Sequence, residues 1–319
     1  MTSRDPHTLL DEAQAGSRVA LARLLTYVES GGERHRAVVT EAYRVPAPYV
    51  VGITGPPGAG KSTLTDRVIT TALAEGSFGG QHSFSQIAIL AIDPTSPFTG
   101  GAILGDRVRM QDHALDERVF IRSMATRGHL GGLSLAVPDA VCVLGAAGFT
   151  LVLVETVGVG QMEVEIASAA DTTVVVSIPG AGDAMQANKA GLLEIADLFV
   201  INKADRPDIQ SVRRDLEQML DFGGERGWRP TITDTVATDG RGVDELWRQI
   251  VMHRTYLEDT GELRTRRAHR AGVELERVLA ATLAARVGSL AAGATWDAQV
   301  AALIAGATDP YSAVDQLLA

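Results

Sequence analysis

Short and nearly continuous apolar runs divide the middle of the chain. They are rich in valine, isoleucine and leucine, and they do not alternate strictly with polar residues. Strands of a parallel sheet have this pattern when helices cover both faces of the sheet. The runs that we predict as strands lie at residues 46–54, 86–92, 120–122, 149–154, 172–178 and 198–201.

Helix-like stretches alternate with these runs, at residues 62–74, 164–170, 184–194 and 209–220. A repeated strand-then-helix order is typical of an α/β fold in which helices flank a parallel sheet. We therefore predict a doubly wound, mostly parallel sheet.

The two ends of the chain lack the strand signal. Residues 8–30 have an amphipathic helical pattern, and residues 262–287 are compatible with one long helix. We expect a helical N-terminal extension at 1–45, the sheet domain at 46–255 and a C-terminal helical arm at 256–319. An arm of this length needs a packing partner, either within its own domain or on a second copy of the chain.

Composition narrows the range of partners. A net charge of −10 over 319 residues argues against nucleic acid or an anionic membrane as the main partner. No apolar stretch reaches the roughly 18–20 residues of a membrane span, and the polar start lacks a secretory signal, so we expect a cytoplasmic location. Cys142 is the only cysteine, which excludes an internal disulfide and a multi-thiolate metal site.

A phosphate-binding motif falls between a predicted strand and a predicted helix. The sequence fits G-x-x-x-x-G-K-[ST], whose glycines let backbone N–H groups wrap a phosphate. Lys61 would contact the β- and γ-phosphates, Ser62 would bind Mg²⁺, and Thr63 would lie beside the α-phosphate. The predicted phosphate-loop residues are Gly55, Pro56, Pro57, Gly58, Ala59, Gly60, Lys61, Ser62 and Thr63.

A guanine-reading motif, N-K-x-D, follows the predicted strand at 198–201. The carboxylate of Asp205 can accept two hydrogen bonds from guanine, and a buried carboxylate would be left unpaired by adenine. Lys203 would lay its aliphatic stem along the base, and Asn202 would brace the loop. Ala237 and Thr238 are weaker candidates for a backbone contact to the guanine oxygen. The nucleotide is therefore predicted to be GTP or GDP.

Acidic residues at strand ends are candidates for the magnesium site. Asp93 and Glu155 each follow a predicted strand, where ligands bind in this fold. Glu155 begins E-T-V-G, where many GTPases carry D-x-x-G, so Gly158 could reach the γ-phosphate. Asp106, in a glycine-rich stretch, is a third candidate. The predicted metal ligands are Ser62, Asp93, Asp106 and Glu155.

The hydrolytic residues are harder to predict. Val159 stands where Ras-type enzymes place a water-orienting glutamine, so we expect slow intrinsic hydrolysis or help from another segment or partner. Gln161 is the nearest glutamine. The predicted catalytic residues are Lys61, Asp106, Glu155 and Gln161.

These motifs together resemble the MeaB/ArgK (MMAA-type) GTPases, chaperones of adenosylcobalamin-dependent acyl-CoA mutases. The segments 155–161 (ETVGVGQ) and 179–183 (PGAGD) are more specific for this family than the phosphate loop. The likeness covers roughly residues 45–255. The other segments that carry it are 53–63, 93–96, 99–107, 120–122, 131–132 and 202–205.

The resemblance implies a GTP-gated partner of a mutase, which promotes cobalamin loading, ejects damaged cofactor and protects the mutase during turnover. Switch segments would map to 93–110, 155–165 and 178–189. The last would couple to the mutase through Asp183, Gln186 and Lys189. The family's C-terminal arm implies a homodimer. The segment 122–129 is more similar to GTPase domains serving isobutyryl-CoA-type mutases than to partners of methylmalonyl-CoA mutase.

Two other functions remain open at this point. A metal-insertion GTPase would load nickel or zinc, although such relatives usually carry cysteine or histidine-rich motifs, and His82, His113 and His129 are scattered here. A small-molecule kinase would use the same phosphate loop, but it would need an acceptor pocket, and the N-K-x-D motif argues against ATP.

Overall fold

The structure is a computed structural model that describes residues 5–93, 113, 115–125, 136–156, 162–180, 191, 194–222 and 227–318. In these ranges, a parallel sheet has the strand order β3-β2-β4-β1-β5-β6-β7. This confirms the predicted α/β fold. The strands are β1 (Tyr49–Thr54), β2 (Ile87–Asp93), β3 (Val119–Ala125), β4 (Leu151–Thr156), β5 (Thr172–Ser177), β6 (Leu198–Asn202) and β7 (Thr231–Thr235).

Helices precede, connect and follow the strands. Part of the helix predicted at 184–194 lies outside the described residues. The described helices are α1 (Pro6–Gln14), α2 (Arg18–Ser30), α3 (Gly32–Ala42), α4 (Lys61–Glu75), α5 (Ala136–Ala146), α6 (Met162–Ala169), α7 (Ile209–Phe222), α8 (Val243–Asp259), α9 (Glu262–Leu290), α10 (Ala294–Ile304) and α11 (Pro310–Leu318).

The central strand β1 is where the strand order reverses, because β4 pairs with one of its edges and β5 with the other. In doubly wound sheets, ligands bind at the carboxyl ends of the strands beside such a reversal. Apolar side chains from α1–α3 and α5 pack in one core cluster, and those from α4 and α8 pack in another. The paired strands and the packed helices therefore fix the position of the carboxyl end of β1.

The N-terminal residues differ from the prediction of one helix over 8–30. The helix is interrupted between α1 and α2 at Gly16, whose φ of +96° is a conformation that residues with a side chain rarely adopt. Ser17 then caps α2, because its hydroxyl accepts a hydrogen bond from the Ala20 N–H at 3.3 Å. The hydrophobic pattern also did not predict α3.

These N-terminal helices share a core with the helix α5. His35 on α3 contacts Asp139 on α5 at 2.5 Å, and the Gln14 amide donates to the Ala146 carbonyl at 2.8 Å. The contacts of the chain divide it into two units, Met1–Leu263 and Arg264–Ala319. The three-part division predicted from the sequence stays a prediction.

The C-terminal unit consists of helices joined by short turns. Helix α9 covers the long helix predicted at 262–287, and none of its residues is buried. Four of its six exposed large apolar side chains recur at four-residue spacing, at Leu275, Leu279, Leu283 and Val287. Among the described residues, no single helix is both long and apolar enough to span a membrane; α9 and α10 meet that test only as a bent pair.

Candidate functional site

The phosphate loop leaves β1 at Gly55, where φ is +141°. A Cβ at this position would lie 2.1 Å from the Val176 carbonyl oxygen of β5, so only glycine fits. Pro57 and Gly58 are exposed at the tip, and α4 begins at Lys61. The first N–H groups of a helix lack partners within the helix, so they favour an anion at this point together with the helix dipole.

Lys61 is buried at the start of α4, with 6% of its surface exposed. Its ammonium donates to the Gly55 carbonyl at 2.7 Å and the Pro56 carbonyl at 3.0 Å. These contacts hold the positive charge over the loop, where phosphate oxygens could compete for its donors. Thr63, two residues after Lys61 in the first turn of α4, is half-buried.

Ser62 and Glu155 meet at the carboxyl edge of the sheet. The Ser62 hydroxyl donates to Glu155 Oε1 at 2.6 Å, and Glu155 is 4% exposed at the end of β4. Hydroxyl and carboxylate oxygens are the ligands that Mg²⁺ prefers, and Mg²⁺ usually takes only one or two carboxylates beside phosphate oxygens. The pair therefore fits a nucleotide-bound magnesium ion. Asp93 ends β2, which pairs with β4.

Asn202 connects three segments of the site. Its amide donates to the Ala59 carbonyl at 2.8 Å, and its Oδ1 accepts from the Thr235 hydroxyl and the Ala237 N–H, both at 3.1 Å. A Cβ at Gly60 would lie 2.5 Å from Asn202 Nδ2. The phosphate loop, the end of β6 and the loop after β7 are thus fixed to one another by a side chain that is 2% exposed.

The remaining base-reading candidates surround Asn202. Lys203 has a left-handed backbone with φ +59°, and its ammonium donates to the Gly58 carbonyl at 2.7 Å. Asp205 is exposed rather than buried, so a bound base would itself have to cover the carboxylate. The N–H of Ala237 is already used by Asn202, whereas the exposed Thr238 has no hydrogen bond to any described residue.

Two contacts in this site are not predicted by the sequence motifs. The Arg67 side chain on α4 donates to the Ala237 carbonyl at 3.4 Å, and the hydroxyls of Thr54 and Thr156 lie 3.0 Å apart between β1 and β4. Both join residues far apart in the chain, so no local signal marks them. The predicted residues that lie outside the described ranges are Asp106, Gly158, Gln161, Asp183, Gln186 and Lys189; for Asp93 the backbone alone is described.

Comparisons with known proteins agree with this arrangement. The model of the family described as methylmalonyl Co-A mutase-associated GTPase MeaB matches residues 21–292. A putative GTPase of Pyrococcus abyssi is 46% identical over 97% of this chain and 95% of its own length. The GTPase ArgK of Escherichia coli is 40% identical over 78% of this chain and 76% of its own length.

A solved structure has a similar fold over almost the whole chain. The crystal structure of a LAO/AO transport system kinase covers 99% of this chain and 97% of its own, with a TM-score of 0.69 and 27% sequence identity. The family model covers well over half of the chain, and the relatives are named as GTPases. The chain is therefore a P-loop GTPase that belongs to the MeaB family.

Proposed function

We propose that this GTPase binds GTP with Mg²⁺ and uses the GTP state to gate an adenosylcobalamin-dependent acyl-CoA mutase. The observation that carries the nucleotide assignment is the junction at Asn202, which ties the phosphate loop to the segment that would read the base. The mutase assignment rests on the family, whose description names methylmalonyl-CoA mutase. The cytoplasmic location remains a prediction from the sequence.

In this proposal, the loop residues hold the phosphates and Lys61 offsets charge on the β- and γ-phosphates. Ser62 and Glu155 hold the magnesium ion, which would neutralise charge that develops on the phosphate oxygens. Asp205 accepts hydrogen bonds from guanine. Of the two candidates for the guanine oxygen, the N–H of Thr238 is the better placed, because it has no partner among the described residues, whereas the Ala237 N–H is bonded to Asn202.

Hydrolysis would be slow in the protein alone. Val159 cannot orient a water molecule as a glutamine does. Asp106 and Gln161 remain the candidates for orienting the attacking water. The coupling segment with Asp183, Gln186 and Lys189 would change with the nucleotide and pass that change to the mutase. A mutase that completes the site would therefore raise the hydrolysis rate.

Co-purification from the native host tests the partner. The tagged protein would be captured with GDP or with a non-hydrolysable GTP analogue, and the retained proteins identified by mass spectrometry. We expect a cobalamin-dependent acyl-CoA mutase whose retention differs between the nucleotides. Retention of a nickel- or zinc-dependent enzyme would favour metal insertion instead, and phosphate transfer to an amino acid would favour a kinase.

The substrate class of the mutase is a separate question. The segment 122–129 favours a mutase of the isobutyryl-CoA or hydroxyisobutyryl-CoA type. Mixing the protein with purified mutases of each type, and measuring the rate of GTP hydrolysis, tests this. A larger stimulation by methylmalonyl-CoA mutase would contradict the branched-substrate assignment and leave the chaperone proposal intact.

We further propose that the arm at 256–319 makes the protein a homodimer. The exposed apolar stripe of α9 supports this, since burying such side chains is favourable by about 25 cal/mol per Å². Light scattering on a chain ending at Leu263 should give a monomer. The variant Leu279→Glu should also be monomeric, whereas the control Arg264→Glu, at an exposed position of the same helix, should remain a dimer. A dimer that survives both the truncation and Leu279→Glu would remove the arm from the interface.

A further inference from the structure

The strand β3 lies at one edge of the sheet and pairs only with β2 among the described residues. The Ile87 N–H of β2 donates to the Arg118 carbonyl, so Arg118 is a residue whose backbone faces β2. In a parallel pair, every second residue bonds the neighbouring strand. The backbone groups of Val119, Ile121 and Ser123 therefore point away from the sheet.

Arg18 of α2 covers the first part of this outer edge. Its guanidinium donates to the Val119 carbonyl at 2.6 Å, to the Asp116 carbonyl at 3.1 Å and to the Glu117 carbonyl. The Val119 N–H donates to the Asp116 carbonyl at 3.1 Å. The first outward-facing residue is therefore fully satisfied and unavailable for pairing.

The next two outward-facing residues are different. Within the described ranges, the backbone N–H and C=O of Ile121 and Ser123 have no hydrogen-bond partner on this side. Folded proteins usually cover, charge or shorten such edges, because an open edge pairs with other chains. Here the protection by Arg18 stops after Val119 and leaves a short length of edge open.

A cleft of about 550 Å³ lies beside this edge, between α2 and β3. Its apolar part includes Val19, which is 66% exposed. Its charged lining residues are Arg18, Arg23 and Arg122, and none of the described residues that line it carries a carboxylate.

The charge of the cleft is unusual for a protein whose net charge is −10. Arg122 is paired with Glu29 on α2. Neither Arg18 nor Arg23 has a carboxylate partner among the described residues, and Arg23 has no hydrogen bond there either. Two positive charges therefore stand beside an open strand edge.

We propose that the cleft docks a short, extended, acidic segment of a partner protein, which adds a strand to β3 at Ile121 and Ser123. Main-chain hydrogen bonds to the edge provide affinity in this kind of docking, and side-chain pockets provide specificity. At about 3.3 Å per residue, about four residues cover the open length. Acidic side chains of the segment pair with Arg23 and Arg18, and apolar ones contact Val19. This site is independent of the phosphate loop and of the proposed function.

Labelled hexapeptides test the docking on the full chain at low salt. One alternates valine with glutamate, a second alternates valine with lysine, and a third is the glutamate peptide with alternate amides N-methylated. We expect the glutamate peptide to bind at least about tenfold more tightly than either of the others. Hydrogen exchange should slow at the amides of Ile121 and Ser123 when it binds.

Two variants separate the cleft from general charge effects. Arg23→Glu should weaken binding of the glutamate peptide by at least about fivefold, since it reverses an unpaired charge in the cleft. Arg23→Lys should retain most of the affinity. Arg36→Glu is the matched control, because Arg36 is exposed on α3 away from the cleft. It should leave binding unchanged.

Several results would overturn the proposal. Equal binding of the glutamate and lysine peptides would remove the role of charge, and equal binding of the N-methylated peptide would remove strand pairing. Displacement of the peptide by millimolar inorganic phosphate would indicate a simple anion site. Self-association that is lost in Arg23→Glu would make a second copy of the chain the occupant.

Discussion

Replacing Asn202 by alanine should loosen the nucleotide site and the fold together. The side chain is buried and makes three hydrogen bonds, to Ala59, Thr235 and Ala237. At about 1 kcal/mol each, their loss should cost about 3 kcal/mol. For a domain of this size, about 2–4 °C per kcal/mol converts this to a fall in Tm of roughly 6–12 °C.

Thermal melting with and without GTP measures this effect. Ligand at 100 times its Kd stabilises a protein by about 2.7 kcal/mol, so GTP should raise the wild-type Tm by several degrees. In Asn202→Ala, the Tm without nucleotide should be lower and the GTP shift should be greatly reduced, because the phosphate loop and the loop after β7 are no longer fixed to each other.

Asp205→Ala is the matched control for this prediction. Asp205 is exposed and has no hydrogen bond to a described residue, so its removal should leave the Tm without nucleotide within about 1 °C. The GTP shift should nevertheless disappear, since the carboxylate would bind the base. An unchanged Tm in Asn202→Ala, or an equal fall in Asp205→Ala, would refute the assignment of Asn202 as the residue that joins the loops.

Three further predictions follow from the same geometry. Gly60→Ala should abolish nucleotide binding measured with a fluorescent GDP analogue, because its Cβ would lie 2.5 Å from Asn202 Nδ2; tight binding would show that the loop can move aside. Glu155→Gln should raise the Mg²⁺ concentration needed for half-maximal GTPase activity by about tenfold or more, while nucleotide binding without Mg²⁺ changes little; an unchanged requirement would exclude Glu155 from the metal site. Burial raises the pKa of Tyr49 well above its usual 10.0, so the neutral phenol stabilises the fold fully below about pH 10, and this stabilisation is lost as the pH rises through the folded pKa. Tyr49→Phe should therefore reduce the loss of Tm at alkaline pH. An identical dependence of Tm on alkaline pH in the variant and the wild type would contradict this.

The sheet could be predicted closely from the sequence because buried parallel strands are apolar throughout. The run at 198–201 became β6 (Leu198–Asn202), and the motif that follows it locates the base-reading loop. Helix breaks were less predictable. The hydrophobic periodicity of residues 8–30 continues across Gly16. Only the positive φ of Gly16 and the cap at Ser17 show that α1 ends and α2 begins there.

Contacts between distant segments had no local signal. The motif indicates that Asn202 braces a loop, but not that its amide reaches the Ala59 carbonyl, 143 residues away. Arg18 carries no motif, and its hydrogen bonds to the turn before β3 depend on how α2 packs on the sheet edge. Asp205 was expected to be buried, whereas the fold leaves it exposed because it follows the strand in a turn at the surface.

The most direct test of the gating proposal is the rate of GTP hydrolysis as a purified adenosylcobalamin-dependent acyl-CoA mutase is added, with Asp205→Ala as the control without base recognition. The proposal predicts a slow rate for the protein alone and a saturable increase of at least about tenfold with the mutase that is absent in Asp205→Ala. A rate that stays constant with mutases of both the methylmalonyl-CoA and the isobutyryl-CoA type would contradict the gating function and leave the protein as a GTPase with another partner.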